Sequence, residues 1–164
     1  MEEDIENVEK FEDRKDNLFT VFKLDGEDYG IPVDVTDEII KDIELFNIPG
    51  SSDNVLGAAH IRGDVIPVVN LKKCMGIGNT TEWNEVLLVE HDNNKFALPV
   101  DNLENMVTPK KENIIDPNKI TNLKDKQIKW LIRMDNNKSI RVLDIEQLIK
   151  GKLDYEEIEE KTSV

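Results

Sequence analysis

A few side chains in this chain carry chemistry that a fold could use: Arg62 beside Gly63, Glu38, the lone Cys74, and the two histidines His60 and His91. A guanidinium offers five donors in a rigid planar fork, which suits a carboxylate or the backbone carbonyls of a partner. Arg62 stands within residues 55–71, where two apolar runs rich in Val and Ile flank the single polar pair Arg62-Gly63. That pattern predicts an antiparallel hairpin, buried over much of its surface, with Arg62 at its turn. Turns are polar for local reasons, so this spacing alone assigns Arg62 no partner. Cys74 with His60 or His91 could supply a thiol and a base, the start of a nucleophilic enzyme. No third, orienting residue is placed by the sequence, and Cys74 sits in an apolar-flanked stretch, where a buried inert thiol is the usual case. One cysteine leaves no internal disulfide, and with two histidines it falls short of the usual structural zinc set unless carboxylates help.

The elements that must hold these residues follow from pattern and charge. At 164 residues and 38% hydrophobic content, the chain can build one domain or two small ones around a real core. The formal charge of -14 is concentrated at the ends. Residues 1–16 hold eight acids against three bases (net -5) and residues 154–164 hold five against one (net -4), which leaves -5 for residues 17–153. Both ends are expected to be disordered, because segments with little apolar content and charge of one sign cannot offset the entropy of ordering. The sequence shows no basic stripe, so nucleic acid and anionic membranes are poor candidates for partners. No apolar run reaches the length of a membrane span, and Met1-Glu2-Glu3-Asp4 is the opposite of a basic signal-peptide start, so a cytoplasmic protein is expected.

Taken in order, residues 18–24 read as a strand, Asp25-Gly26 as its turn, and residues 28–35 as its partner, with Pro32 marking an edge or a bulge. Residues 38–40 and 43–48 give short extended or turn-helical pieces, and 49–54 is a loop. After the hairpin, residues 71–75 form a helical turn closed by Gly76. Beyond a connector at 77–84 the pattern restarts. Residues 85–90 are a strand, 91–94 a turn, and 95–103 a second strand containing Pro99. Residues 106–126 are polar. Strands at 129–134 and 139–143 flank the turn Asp135-Asn136-Asn137, and Asp144 caps a short helix through Ile149, with Gly151 as its stop. The restart is a repeat. Tyr29-Gly30-Ile31-Pro32-Val33-Asp34 matches Phe96-Ala97-Leu98-Pro99-Val100-Asp101 at an offset of 67 residues, and Ile66-Pro67-Val68-Val69-Asn70-Leu71 matches Ile140-Arg141-Val142-Leu143-Asp144-Ile145 at 74. Two similar all-β units follow, each too small to hold much core alone and packed on the other. The turn at 135–137 has no Arg-Gly pair, so Arg62 is not needed merely to reverse such a hairpin.

Phe22, Leu24, Gly26, Tyr29-Gly30-Ile31-Pro32, Glu38-Ile39, Ile48-Pro49, Gly57, Ile61-Arg62-Gly63, Ile66-Pro67-Val68 and Leu71, with their spacing, resemble the CheW-like chemotaxis coupling proteins over nearly the whole chain. The resemblance implies an all-β fold of two tandem SH3-like five-stranded barrels related by a pseudo-two-fold, with short helical segments including one near the C-terminus. It divides the chain into an arm at 1–16, a domain at 17–153 with barrels at about 18–80 and about 84–150, and a tail at 154–164. It further implies a non-enzymatic adaptor, without cofactor or metal, that joins the cytoplasmic tips of methyl-accepting chemoreceptors to the regulatory domain of the histidine kinase CheA in membrane-associated arrays. The alternative is a generic protein-binding double barrel in a two-component pathway outside chemotaxis. Glu38, Gly57, Arg62 and Gly63 fall on positions that the family uses in partner binding, and Glu38 could hold Arg62 in place or compete with a partner for it. Thr36 joins this set where the family usually has Val. His60, Asn70 and Lys72 stand where it usually has Asn, Asp and Arg.

Overall fold

The computed structural model describes residues 17–120, 125 and 127–153, so the arm and tail expected to be disordered lie outside the described residues. Among the described residues twelve strands follow one another: β1 (Phe19–Leu24), β2 (Glu27–Pro32), β3 (Thr36–Ile40), β4 (Leu45–Phe46), β5 (Val55–Ile61), β6 (Asp64–Val69), β7 (Glu85–His91), β8 (Asn94–Val100), β9 (Asn102–Leu103), β10 (Ile114–Ile115), β11 (Ile128–Arg133) and β12 (Ser139–Leu143). They form two six-stranded sheets, ordered β10-β11-β12-β2-β1-β9 and β3-β7-β8-β6-β5-β4. The all-β double barrel expected from the sequence is the fold of this chain.

The sheets do not follow the contiguous division at 18–80 and 84–150. The first hairpin of each half, β1–β2 or β7–β8, lies in the sheet built by the remaining strands of the other half. Exchanging the halves, β1 for β7 through β6 for β12, turns one strand order into the other, which is the pseudo-two-fold written in topology. Its hinge points are two parallel pairings, Gly30 with Val142 and Ala97 with Val68. Gly30 and Ala97 are 67 residues apart and Val68 and Val142 are 74 apart, so the repeated segments are the ones that bind the halves together.

Alternation explains how such short strands hold a core on both faces. Val86 and Leu88 of β7 point into one barrel with Ala59, Ile61, Ile66, Val68 and Ala97, whereas Leu87 and Val89 point the other way. Phe19 and Val21 of β1 fill the second barrel with Ile132, Ile140 and Val142, while Phe22 and Leu24 point outward. The outward sets of both sheets meet in the largest cluster, between the barrels, where Phe22, Leu71, Phe96, Leu98, Leu143 and Leu148 pack together. The core therefore lies mostly between the units. Of the segment expected to be buried at 65–69, Ile66, Pro67, Val68 and Val69 are buried, and Val65 is exposed where the hairpin nears its turn.

Local chemistry sets the ends of the elements. Among the described residues, positive φ pairs make four of the hairpin turns: Asp25-Gly26, Arg62-Gly63, Asp92-Asn93 and Asn136-Asn137. The strand expected at 95–103 breaks at Asp101, because the chain leaves β8 there to pair β9 with β1 in the other sheet. The matching crossing in the first half is the 3-10 turn Val33–Val35, so each Pro-Val-Asp marks a passage between sheets. Asn70 Oδ1 accepts from Lys73 N to cap the helix Leu71–Cys74, and Asp144 Oδ1 accepts from Gln147 N to cap Ile145–Leu148. Gly151 does not stop the second helix. The chain continues as a wider turn, Ile149–Leu153, since burying Leu153 between the barrels draws it on.

Lys72 ties this arrangement together. Its Nζ lies 2.9 Å from Asp25 and 2.9 Å from Asp101, linking the helix after β6 to the first hairpin turn and to the end of β8. Burial pulls the Lys72 ammonium down, but its hydrogen bonds to Asp101 and Asp25 outweigh this and hold its pKa above the ordinary lysine value. A group raised on folding stabilises fully below its unfolded pKa and loses that contribution as pH climbs through the folded one. Lys72→Met is expected to cost about 1–2 kcal/mol at neutral pH. In urea unfolding, the gap to wild type should stay constant from pH 6 to 9 and close above about pH 10.4, the ordinary lysine pKa.

Candidate functional site

The β5–β6 hairpin places Arg62 at the first position of its two-residue turn, with φ 51°. An L residue there brings its Cβ against the following carbonyl, a cost that Gly, Asn and Asp escape best. Among the described residues, Arg62 is the only one with positive φ that is not Gly, Asn or Asp. The equivalent hairpin of the second half has Asn136 at this position. Gly63 follows at φ 84°, with nothing near where a Cβ would stand, so conformation alone calls for glycine there. Arg62 keeps 74% of its side chain exposed and forms an ion pair through Nη2 with Glu38 Oε1. Arginine is a permanent cation, and the hydrogen bond to Glu38, then its charge and that of Asp37, raise the guanidinium pKa further.

Glu38 belongs to β3, at one end of the sheet order, whereas Arg62 follows β5, next to the other end. Their pairing therefore crosses the seam where the first barrel curls closed. Thr36 starts the same strand and donates its Oγ1 to the Pro32 carbonyl at 3.3 Å, a bond that Val could not make. The structure thus brings Glu38, Arg62 and Gly63 together, with Thr36 two residues along from Glu38. Beside them the seam opens as a groove of about 410 Å³, lined by Ile40, Ile43, Leu45, Phe46 and Ile61 together with Asp42, Glu44 and His60. Phe46 and Leu45 are 41% and 37% exposed, and Ile39 on β3 is 40% exposed. A cation held beside exposed aliphatic and aromatic surface is equipped to dock a protein.

Gly57 is placed differently. It is buried beneath β4, where a Cβ would lie 2.4 Å from the Phe46 carbonyl oxygen and 2.5 Å from Leu45 Cδ2. Its bearing on any partner runs through β4, whose apolar residues it lets sit down against β5. Gly57→Ala should cost about 2–4 kcal/mol, combining overpacking with a strained φ of 155°. The check is urea unfolding alongside binding. A loss of affinity without loss of stability would instead place Gly57 in direct contact with a partner.

His60 packs against Phe46 with ring centroids 5.3 Å apart and the rings tilted by 31°, on the outside of the barrel. Cys74 is buried in the cluster between the barrels, with its Sγ donating to the Asn54 carbonyl at 3.8 Å, and His91 Nε2 lies 3.5 Å from Asp92. The thiol and the two imidazoles lie in three different places, Cys74 between the barrels, His60 on the groove and His91 at the end of β7. Asn70 does more than cap its helix: Oδ1 also accepts from Thr80 N at 2.8 Å, and Nδ2 donates to the Asp53 carbonyl and to Asn79. An Asp could accept in this way but could not donate. Sequence reasoning missed Leu45, Phe46 and Ile39. The available signal was the density of apolar residues over 39–46, more than two short strands need to bury.

A family model described as the CheW-like domain matches residues 18–152. The chemotaxis protein CheW of Helicobacter pylori is 27% identical over 144 residues, covering 86% of this chain and 87% of that protein. CheW of Thermotoga maritima is 27% identical over 130 residues, with 79% and 85% covered. Among solved structures, the scaffolding protein TtCheW of Thermoanaerobacter tengcongensis superposes with a TM-score of 0.74 at 26% identity, covering 84% of this chain and 94% of that one.

Proposed function

The chain belongs to the CheW-like domain family, and on that premise we propose that it is a non-enzymatic adaptor coupling methyl-accepting chemoreceptors to the histidine kinase CheA. The observation that carries the site assignment is the left-handed conformation of an exposed Arg62 where Asp, Asn or Gly would turn the hairpin at lower cost. A residue kept against its backbone preference, and aimed at solvent, is kept for what it touches. Glu38 holds the guanidinium over the seam while leaving most of its five donors available to carboxylates or carbonyls on a helical receptor tip. Thr36 and Gly57 act behind this pair, one by shaping the start of β3 and the other by seating β4. The apolar rim of Ile39, Leu45 and Phe46 supplies surface that a salt-screened ion pair alone would not.

No helix among the described residues is long and apolar enough to cross a membrane. The working location is the cytoplasm, with recruitment to receptor arrays through the partners rather than by insertion. The experiment is a pull-down with two baits, the kinase regulatory domain and a receptor-tip fragment. The chain should be retained by each, and should carry soluble receptor tip onto immobilised kinase domain. Retention by neither bait, or by a histidine kinase outside chemotaxis instead, would overturn the assignment.

A further inference from the structure

Away from the Arg62 seam, where the connector meets the crossing from β8 to β9, lies a recess of about 260 Å³ lined by Lys72, Glu82, Trp83, Asn84, Asp101 and Asn102. Several of these groups are already fixed. Asp101 is taken on both oxygens, Oδ1 by Lys72 at 2.9 Å and Oδ2 by Asp25 N at 2.8 Å. Asn84 Nδ2 donates to the Asp101 carbonyl at 2.8 Å and to Asn102 Oδ1 at 3.0 Å, so both its protons are committed and the plane of its amide is set. Trp83 is anchored by packing against the apolar cluster of the first barrel.

What is left over points to one kind of ligand. Among the described residues Glu82 makes no ion pair and Asn84 Oδ1 accepts no hydrogen bond, so the recess offers a carboxylate, an amide oxygen and an indole. Lys72 does not balance the acids, because its single charge already faces two of them, Asp25 and Asp101. With Asp25 included, three acids stand against one base (net -2). Of the other bases close by in the chain, Lys23, across from Asn102, is paired with Asp28 at 2.8 Å, and Lys73 does not line the recess. An acceptor-rich recess of negative charge with an indole wall favours a cation. A planar guanidinium suits it best, since it can lie on the ring and donate in its own plane to a carboxylate. The volume is below the roughly 300–1,000 Å³ of sites for drug-sized ligands, so the ligand is small.

We propose that this recess binds a small organic cation, an alkylguanidinium or alkylammonium compound, with its charged head on Trp83 and its N–H donors on Glu82 and Asn84 Oδ1. The recess shares no lining residue with the groove beside Arg62, so this binding does not depend on the coupling role.

The test is a titration of the full chain with butylguanidinium chloride. Trp130→Phe leaves Trp83 as the single indole, and its emission should change saturably at concentrations where sodium chloride and butanol have no effect. In proton–nitrogen correlation spectra the side-chain amides of Asn84 and Asn102 should shift, while those of Asn113 and Asn118 stay in place. Glu82→Gln, at an exposed position, should raise the apparent Kd at least about fivefold with native circular dichroism. Trp83→Leu should abolish the amide shifts, and Glu82→Gln alone decides the matter if that variant fails to fold. A response that sodium chloride or butanol reproduces, or one that Glu82→Gln leaves unchanged, would overturn the proposal. Release of the chain from either pull-down bait by the probe, lost in Glu82→Gln, would overturn it too, making a partner's arginine or lysine the occupant.

Discussion

Arg62→Asn is expected to leave the protein at least as stable as wild type while lowering its affinity for a receptor tip by about tenfold or more. The two effects have separate causes. Asn is the residue that the second half uses at this position, Asn136, with φ 63°. The substitution installs a short polar side chain that offsets the cost of the left-handed region by local hydrogen bonding, and gives up an ion pair whose arginine is largely in water. The urea midpoint should therefore hold or rise. Binding should fall, because Asn cannot present a permanent cation or five donors in one plane. Arg62→Glu should weaken binding further by reversing the charge opposite any carboxylate and beside Glu38. Urea unfolding and titration calorimetry on the same preparations check this. A drop in midpoint with unchanged affinity would make Arg62 a turn residue that stabilises the seam.

The second large effect concerns the exchanged hairpins. Cut between Thr81 and Glu82 in the connector, neither half should fold alone. In the first half β3 loses β7, its one sheet neighbour among the described residues, and β6 loses β8. In the second, β9 loses β1 and β12 loses β2. The cluster between the barrels, which draws on both halves, is then absent from each fragment. Circular dichroism of each fragment should lack the native strand signal, and mixing them should restore it at a one-to-one ratio. The intact chain should unfold in a single transition. A fragment that unfolds cooperatively alone would show a self-sufficient barrel and contradict this account.

The hairpin carrying Arg62 was legible because everything that makes it is local: alternation on both sides, a two-residue turn and a glycine where φ must be positive. The same holds for the caps at Asn70 and Asp144. Pairing between the halves was not legible, although the repeats that mark it were visible. An apolar strand such as Val86 to Val89 has the same pattern whichever sheet receives it, and only long-range packing decides. The break at Asp101 and the continuation past Gly151 were hidden for the same reason, being imposed by a strand and a core elsewhere in the chain. At the site, the position of Arg62 could be read, but not its tension with the backbone, which depends on the turn type. Gly57 could be read as a position the family uses, but not the close passage of β4 over it, which no local pattern encodes. Leu45 and Phe46 belong to a strand of two residues, too short to leave a period.

The most direct measurement is receptor-dependent activity of the kinase CheA in a reconstituted array, with the chain, without it, and with Arg62→Glu in its place. Wild-type protein should raise kinase activity well above the level of receptor and kinase alone, and Arg62→Glu should leave it near that level while remaining folded. Equal activation by wild type and Arg62→Glu would contradict the role given to Arg62, and no activation by wild type would contradict the coupling function itself.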